Sequence, residues 1–229
     1  MKIVIISDLH GNYEALRALP EAYDELWVLG DLVNYGPQPC EVVDAIRAEA
    51  TLVVRGNHDN AIGFDQDPKC GIRFREMAQT TGKFTASVIS REQKDFLSSL
   101  PLKVTAMRGT TRFYLTHAMP SDPLYGYSPH DSNDWVTEVE GVPADVVLVG
   151  HTHHPFIRTI GKQTLVNPGS LGQPKNGSSN ACYAVWQDTR IELKQYAYPV
   201  EKTVSRIQAL PLPDAVRQDL VKVLRAGAV

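Results

Sequence analysis

The sequence predicts an α/β fold, and three observations carry that reading. Apolar runs at 2–7, 26–29 and 52–54 alternate with helix-forming stretches at 13–19 and 41–50, the rhythm of βαβ units and a largely parallel sheet. The first run holds Ile3, Val4, Ile5 and Ile6 without a polar interruption, as a strand covered on both faces requires. Composition is that of a folded chain, 43% hydrophobic and 21% charged over 229 residues with Gly and Pro scattered, which argues against low complexity or disorder.

Taken in order, the first strand ends in Asp8-Leu9-His10-Gly11-Asn12, where Asn12 can cap the helix that runs to Pro20. The second run ends at Gly30-Asp31 and the third at Gly56-Asn57-His58-Asp59. Residues 60–110 break the rhythm. A helix is predicted over 72–89, and Ser90 with Gln93 forms a capping box that opens another through Leu100, stopped by Pro101. Strands resume at 112–116, 145–149, 156–160 and 164–166. The alternating stretch 182–198 contains Gln187-Asp188-Thr189, a hairpin turn. From Glu201 the pattern is one or two amphipathic helices, broken at Pro211 and Pro213. With no repeat and no linker, residues 1–229 are expected to form a single domain with a helical insertion at about 60–110.

The charge balance excludes some partners. A formal net charge of −3 with no Lys/Arg run lacks the basic stripe that long nucleic acid requires. The three cysteines, Cys40, Cys70 and Cys182, are sparse and odd in number, which suggests a reducing compartment. The opening apolar run is too short for a signal peptide or a membrane span. A cytoplasmic protein without a membrane partner is the expectation.

Five runs end in residues able to bind metal: Asp8 and His10, Asp31, Asn57, His117, and His151 with His153. Sites in open α/β sheets lie beyond the carboxyl ends of strands, so these residues are positioned to converge. The i, i+2 spacing within the first and last pairs puts both side chains on one side if the backbone is extended. Any one of these residues alone would more simply be a cap, a turn or a structural histidine. Their joint placement is what points to metal.

The blocks DLH, GDLV, GNHD, TH and GHTH, in this order from Asp8, with NPGSLGQP at 167–174, resemble the signature of the calcineurin-like metallophosphoesterases, most closely a branch of small bacterial and archaeal phosphoesterases. The resemblance implies a four-layer α-β-β-α sandwich of two mixed sheets flanked by helices. It also implies two divalent ions: one held by Asp8, His10 and His153, the other by Asn57, His117 and His151, with Asp31 bridging both. Mixed O and N ligands suit Mn, Fe or Zn better than Ca or Mg. In such a centre a metal-bridging hydroxide attacks phosphorus in line, so no Ser or Cys nucleophile is needed. His58 is the candidate general acid for the leaving oxygen, or else a ring that only orients Asn57. Asn34 is a candidate to orient His58.

Relatives in this superfamily carry an Arg that grips phosphate where Tyr35 stands here, and protein phosphatases carry an Asp at the position of Asn34. Losing a bidentate fork disfavours a dianionic monoester more than a monoanionic diester. Small phosphodiesters are therefore the expected substrates, with Asn34 and Tyr35 at the substrate. A phosphomonoesterase acting on phosphoprotein or nucleotide is the alternative, followed by a non-catalytic interaction module. Tyr125 and Tyr127 are candidates to stack a nucleobase, though packing is the commoner fate of loop tyrosines. Arg55 is read as an ion-pair partner under the sheet edge, with a phosphate contact as the alternative, the cysteines as packing residues and His154 as a surface or packing residue. The C-terminal helices are read as able either to support a homodimer or to cover the sheet.

Overall fold

The computed structural model describes residues 1–228; the side chain of Arg73 also lies outside the described set. The elements run β1 (Lys2–Ile6), α1 (Tyr13–Arg17), β2 (Glu25–Val28), α2 (Pro39–Glu49), β3 (Leu52–Val53), α3 (Asn57–Phe64), α4 (Ile72–Val88), α5 (Arg91–Ser99), β4 (Lys103–Arg108) and β5 (Thr111–Thr116). They continue α6 (Asp134–Glu140), β6 (Val146–Leu148), β7 (Phe156–Ile160), β8 (Gln163–Asn167), β9 (Ala181–Gln187), β10 (Arg190–Tyr196), α7 (Val200–Gln208) and α8 (Asp214–Ala226).

Ten strands form two mixed sheets of five, in the orders β10-β9-β1-β2-β3 and β4-β5-β6-β8-β7. The largely parallel sheet read from the βαβ rhythm is therefore corrected. β1, β2 and β3 are parallel, as are β5, β6 and β8, but β9, β10, β4 and β7 add antiparallel partners.

The period of two in β1 explains the layering. Ile3 and Ile5 point between the sheets, where they meet Trp27, Leu29, Phe113, Leu148 and Val166. Val4 and Ile6 point outward to the helical layer, against Leu16, Val42, Ile46 and Leu97. The second sheet repeats the scheme, with Tyr114, Val147 and Leu165 covered by Trp135 and Val139 of α6. Four layers result, as the resemblance implied. Phe113 locks the middle layer, its ring edge-on to Trp27 at 4.9 Å and to Trp186 at 5.4 Å. Glu25 on β2 accepts two hydrogen bonds from Arg108 on β4, at 2.6 and 2.7 Å, tying one sheet to the other.

Local signals held where the chemistry was specific. Asn12 accepts from the Ala15 N–H, and Ser90 and Gln93 cap α5 reciprocally. Asp188 and Thr189 both adopt positive φ, 51° and 64°, closing the β9–β10 hairpin. The helical stretch expected to about 110 ends at Ser99, because Lys103–Arg108 is strand β4. As an edge strand it never becomes fully buried, so its sequence carries no apolar run to announce it. Helix α6 also went unpredicted, since seven residues with two buried side chains, Trp135 and Val139, leave little periodicity. No helix among the described residues is long and apolar enough to cross a membrane.

The C-terminal helices pack within the chain. Ile207, Leu220 and Leu224 bury against Met77 and Ala78 of α4 and against Tyr35. Thr203 of α7 donates to Asn12 Oδ1 at 2.9 Å, while Asn12 donates to the Gly172 carbonyl and to Tyr198.

Candidate metal centre

Six parallel strands, three from each sheet, end at one edge of the sandwich, and the candidate residues lie in the loops that leave them and, for Asn57 and His58, at the start of α3. Asp8, His10, Asp31, His151 and His153 all have positive φ, between 46° and 64°. This corrects the i, i+2 reasoning. The backbone is left-handed rather than extended at these positions; Asp8 and His10 still meet, 3.9 Å apart, but His151 and His153 part company. His153 joins Asp8 and His10, whereas His151 joins Asp31 and His117. Five strained non-glycine residues in one cluster are a mark of a functional site.

Close backbone approach brings the loops together. At Gly56 any Cβ would collide with the Asp31 carboxylate, so only glycine lets the loop after β3 reach the loop after β2. Asp59, fully buried, fastens the two: its carboxylate accepts the backbone N–H groups of Asp31 (2.8 Å), Leu32 (2.8 Å) and Gly56 (3.0 Å). Burial, foremost, and the nearby Asp31 push its carboxyl above the ordinary range, while these donors pull it down. Sequence reasoning gave Asp59 no role, although it closes the GNHD block.

All seven candidate ligands converge. The His10 and His153 Nε2 atoms face each other at 3.1 Å, and Asp8 Oδ1 lies 3.3 Å from the latter. On the other side, His117 Nε2 lies 3.1 Å from Asn57 Oδ1 and 3.2 Å from His151 Nδ1. Asp31 Oδ2 stands between the groups, 3.3 Å from His117 Nε2 and 3.7 Å from His10 Nε2.

His58 sits beside them at the start of α3, its N–H donating to Asp31 Oδ1 at 2.9 Å. Asn34 Nδ2 lies 2.8 Å from its Nδ1, the Tyr35 ring packs 4.8 Å from its ring, and Cys70 Sγ is 3.3 Å from its Nε2. Asn34 and Tyr35, expected at the substrate, thus lie against this imidazole, and Tyr35 is only 4% exposed. Cys70, expected to be a packing residue, faces the same ring. Arg55 forms no ion pair among the described residues; it donates to the Ser98 carbonyl and covers the Phe64 ring. His154 is exposed, and all three cysteines are free thiols.

The charges follow from burial and proximity. Burial raises the carboxyls of Asp8 and Asp31, but the histidines overcome it, His153 foremost for Asp8 and His117 for Asp31, and hold both below the usual range. Burial pulls His58 down to about 4 and His151 to about 3, and lowers His10 and His153 as well. Burial lowers His117 too, but Asp31 outweighs it and the ring is pushed up to about 9.

The comparisons with known proteins agree with this arrangement. The sequence model of the calcineurin-like phosphoesterase superfamily domain matches residues 1–189. The chain belongs to this superfamily. An uncharacterized protein of Methanocaldococcus jannaschii is 31% identical over 93% of this chain and 94% of its own. The crystal structure of a metallophosphoesterase from Sphaerobacter thermophilus superposes with a TM-score of 0.83 at 27% identity, covering 100% of this chain and 99% of that one. Phosphodiesterase YfcE of Escherichia coli is 25% identical over 78% of this chain and 83% of its own. As a calcineurin-like phosphoesterase, the chain is a metal-dependent hydrolase of phosphoric esters.

The residues present fit metal. His10, His117 and His153 each donate their Nδ1–H to a backbone carbonyl, of Val33 (3.1 Å), Leu29 (2.7 Å) and Gln173 (2.6 Å). In the neutral rings that metal binding requires, those bonds keep the proton on Nδ1 and leave an Nε2 lone pair aimed inward; with no cation present, burial disfavours a protonated His117 but Asp31 outweighs it. Two such lone pairs 3.1 Å apart, with the buried Asp8 Oδ1 lacking any hydrogen-bond donor, need a cation or a proton between them.

Beside these groups opens a cleft of about 390 Å³, lined by Asp31, His58, His151, Phe74, Tyr125 and Lys175 among others. Lys175 immediately follows the NPGSLGQP stretch, and sequence reasoning passed over it.

Proposed function

We propose that this metallophosphoesterase holds two divalent transition-metal ions, Mn, Fe or Zn, and hydrolyses small phosphodiesters. Asp8, His10 and His153 hold one ion, Asn57, His117 and His151 the other, and Asp31 serves both. The observation that carries this reading is the position of Asp31 Oδ2 between two inward-facing imidazoles. Such ions, when bound, activate a water and offset the charge that develops on the phosphoryl oxygens.

The remaining work falls to the protein's own groups. Asn34 donates to His58 Nδ1, which leaves the ring proton on Nε2. That nitrogen, held 3.3 Å from the Cys70 thiol, is where a leaving-group oxygen takes its proton. Tyr35 fixes the rings of His10 and His58 from the side, 4.8 Å from each, and supplies no bidentate cation to phosphate. The chain works as one domain, because α7 fastens the loop that carries Asp8 and His10 through Thr203 and Asn12.

The test compares bis-p-nitrophenyl phosphate with p-nitrophenyl phosphate on metal-loaded protein. The diester is expected to turn over with the higher kcat/KM. Equal or faster turnover of the monoester contradicts the diester preference.

A further inference from the structure

Two ammoniums line the cleft and, among the described residues, neither has a counter-ion: Lys69, exposed to solvent with its Nζ 4.4 Å from the Tyr125 ring centroid, and Lys175, which is half-buried. Lys175 lines the same wall-to-wall space as Asp31, His58, His151 and His153. Its Nζ rests 4.3 Å from the centroid of the Phe74 ring, a contact that holds a cation in place without neutralising it. Among the described residues it forms neither a hydrogen bond nor an ion pair, whereas Lys2, Lys94 and Lys194 each reach a carboxylate. A half-buried charge with no partner is costly, and an anion entering the cleft offsets that cost.

From this geometry we propose that Lys175 is the substrate-phosphate ligand of the site, the cation that meets a non-bridging phosphoryl oxygen where Tyr35 offers none. The proposal rests on the phosphoesterase reading and adds the residue that sets its specificity. An ammonium is a single point charge rather than a fork. It suits the one negative charge that a diester shares over two non-bridging oxygens. The extra oxygen of a monoester dianion finds no second donor from this side chain, and Lys69, the other lysine of the cleft, is exposed on the Tyr125 ring.

The decisive experiment uses K175M and K175R beside the unaltered metal-loaded protein. Inorganic phosphate binding is measured by calorimetry, and kcat and KM are measured with bis-p-nitrophenyl phosphate. Metal content and thermal unfolding are expected to stay unchanged in both variants. Loss of one charge-assisted contact is expected to weaken phosphate binding and to lower kcat/KM in K175M by roughly 10–100-fold. K175R should recover most of the phosphate affinity. K175M within twofold of the unaltered protein in both measurements overturns the proposal, as does an unaltered protein that binds no phosphate. If phosphate binding depends on Lys175 but no diester is hydrolysed, the ligand assignment stands and the diester reading fails.

Discussion

Replacing Asp59 with Ala tests whether the loops that carry the metal centre are held by one buried carboxylate. The side chain is fully buried and accepts three backbone N–H groups, of Asp31, Leu32 and Gly56. Alanine leaves all three donors buried without an acceptor. At about 1–3 kcal/mol per orphaned donor, partly relieved by relaxation, the loss amounts to about 3–6 kcal/mol, a large share of the ~5–15 kcal/mol that keeps a domain folded. D59N separates the causes. Its amide oxygen can take the place of Oδ2 and keep the bonds from Asp31 and Gly56, but its NH₂ group then opposes the Leu32 N–H. About 1–3 kcal/mol is expected for that single mismatch. Urea unfolding of metal-free protein, followed by circular dichroism, measures both with an unchanged m-value. A D59A cost below about 1 kcal/mol, or D59N no better than D59A, refutes the reasoning.

Other outcomes follow from the same geometry. H58A should keep its metal, since His58 is not among the seven ligands, while diester turnover falls by roughly 10²–10⁴-fold; unchanged turnover removes His58 from the role of acid. Glu21, which accepts from Lys194 at 2.6 Å and Lys2 at 3.1 Å, is held down to about 2, chiefly by Lys194. Its folded value lies below its unfolded value of 4.5, so its contribution is complete above that pH and is lost as pH falls towards about 2. E21Q should therefore cost about 1 kcal/mol at neutral pH, allowing for solvent screening, and progressively less in acid. A penalty independent of pH in chemical denaturation contradicts the ion-pair account.

Much of the fold was legible in the sequence because it rests on local rules. The apolar run of β1, the Asn12 cap, the Ser90–Gln93 box and the Asp188-Thr189 turn each state their structure within a few residues. β4 and α6 were not legible, one being an exposed edge strand and the other a short helix with two buried side chains. For the site, the sequence supplied the residues but the wrong geometry. Asp8 and His10 meet through left-handed turns rather than strand alternation, and no sequence period encodes a positive φ in a non-glycine residue. Asp59 and Lys175 went unread for a different reason. Their roles depend on groups supplied by other segments, the loop after β2 for the former and Phe74 of α4 for the latter.

The most direct test of the dinuclear centre is an anomalous difference map from crystals soaked in Mn²⁺. Two peaks are expected, roughly 3.5–4 Å apart, one beside Asp8, His10 and His153 and the other beside Asn57, His117 and His151, with Asp31 reaching both. A single peak, or none within reach of these side chains, contradicts the account.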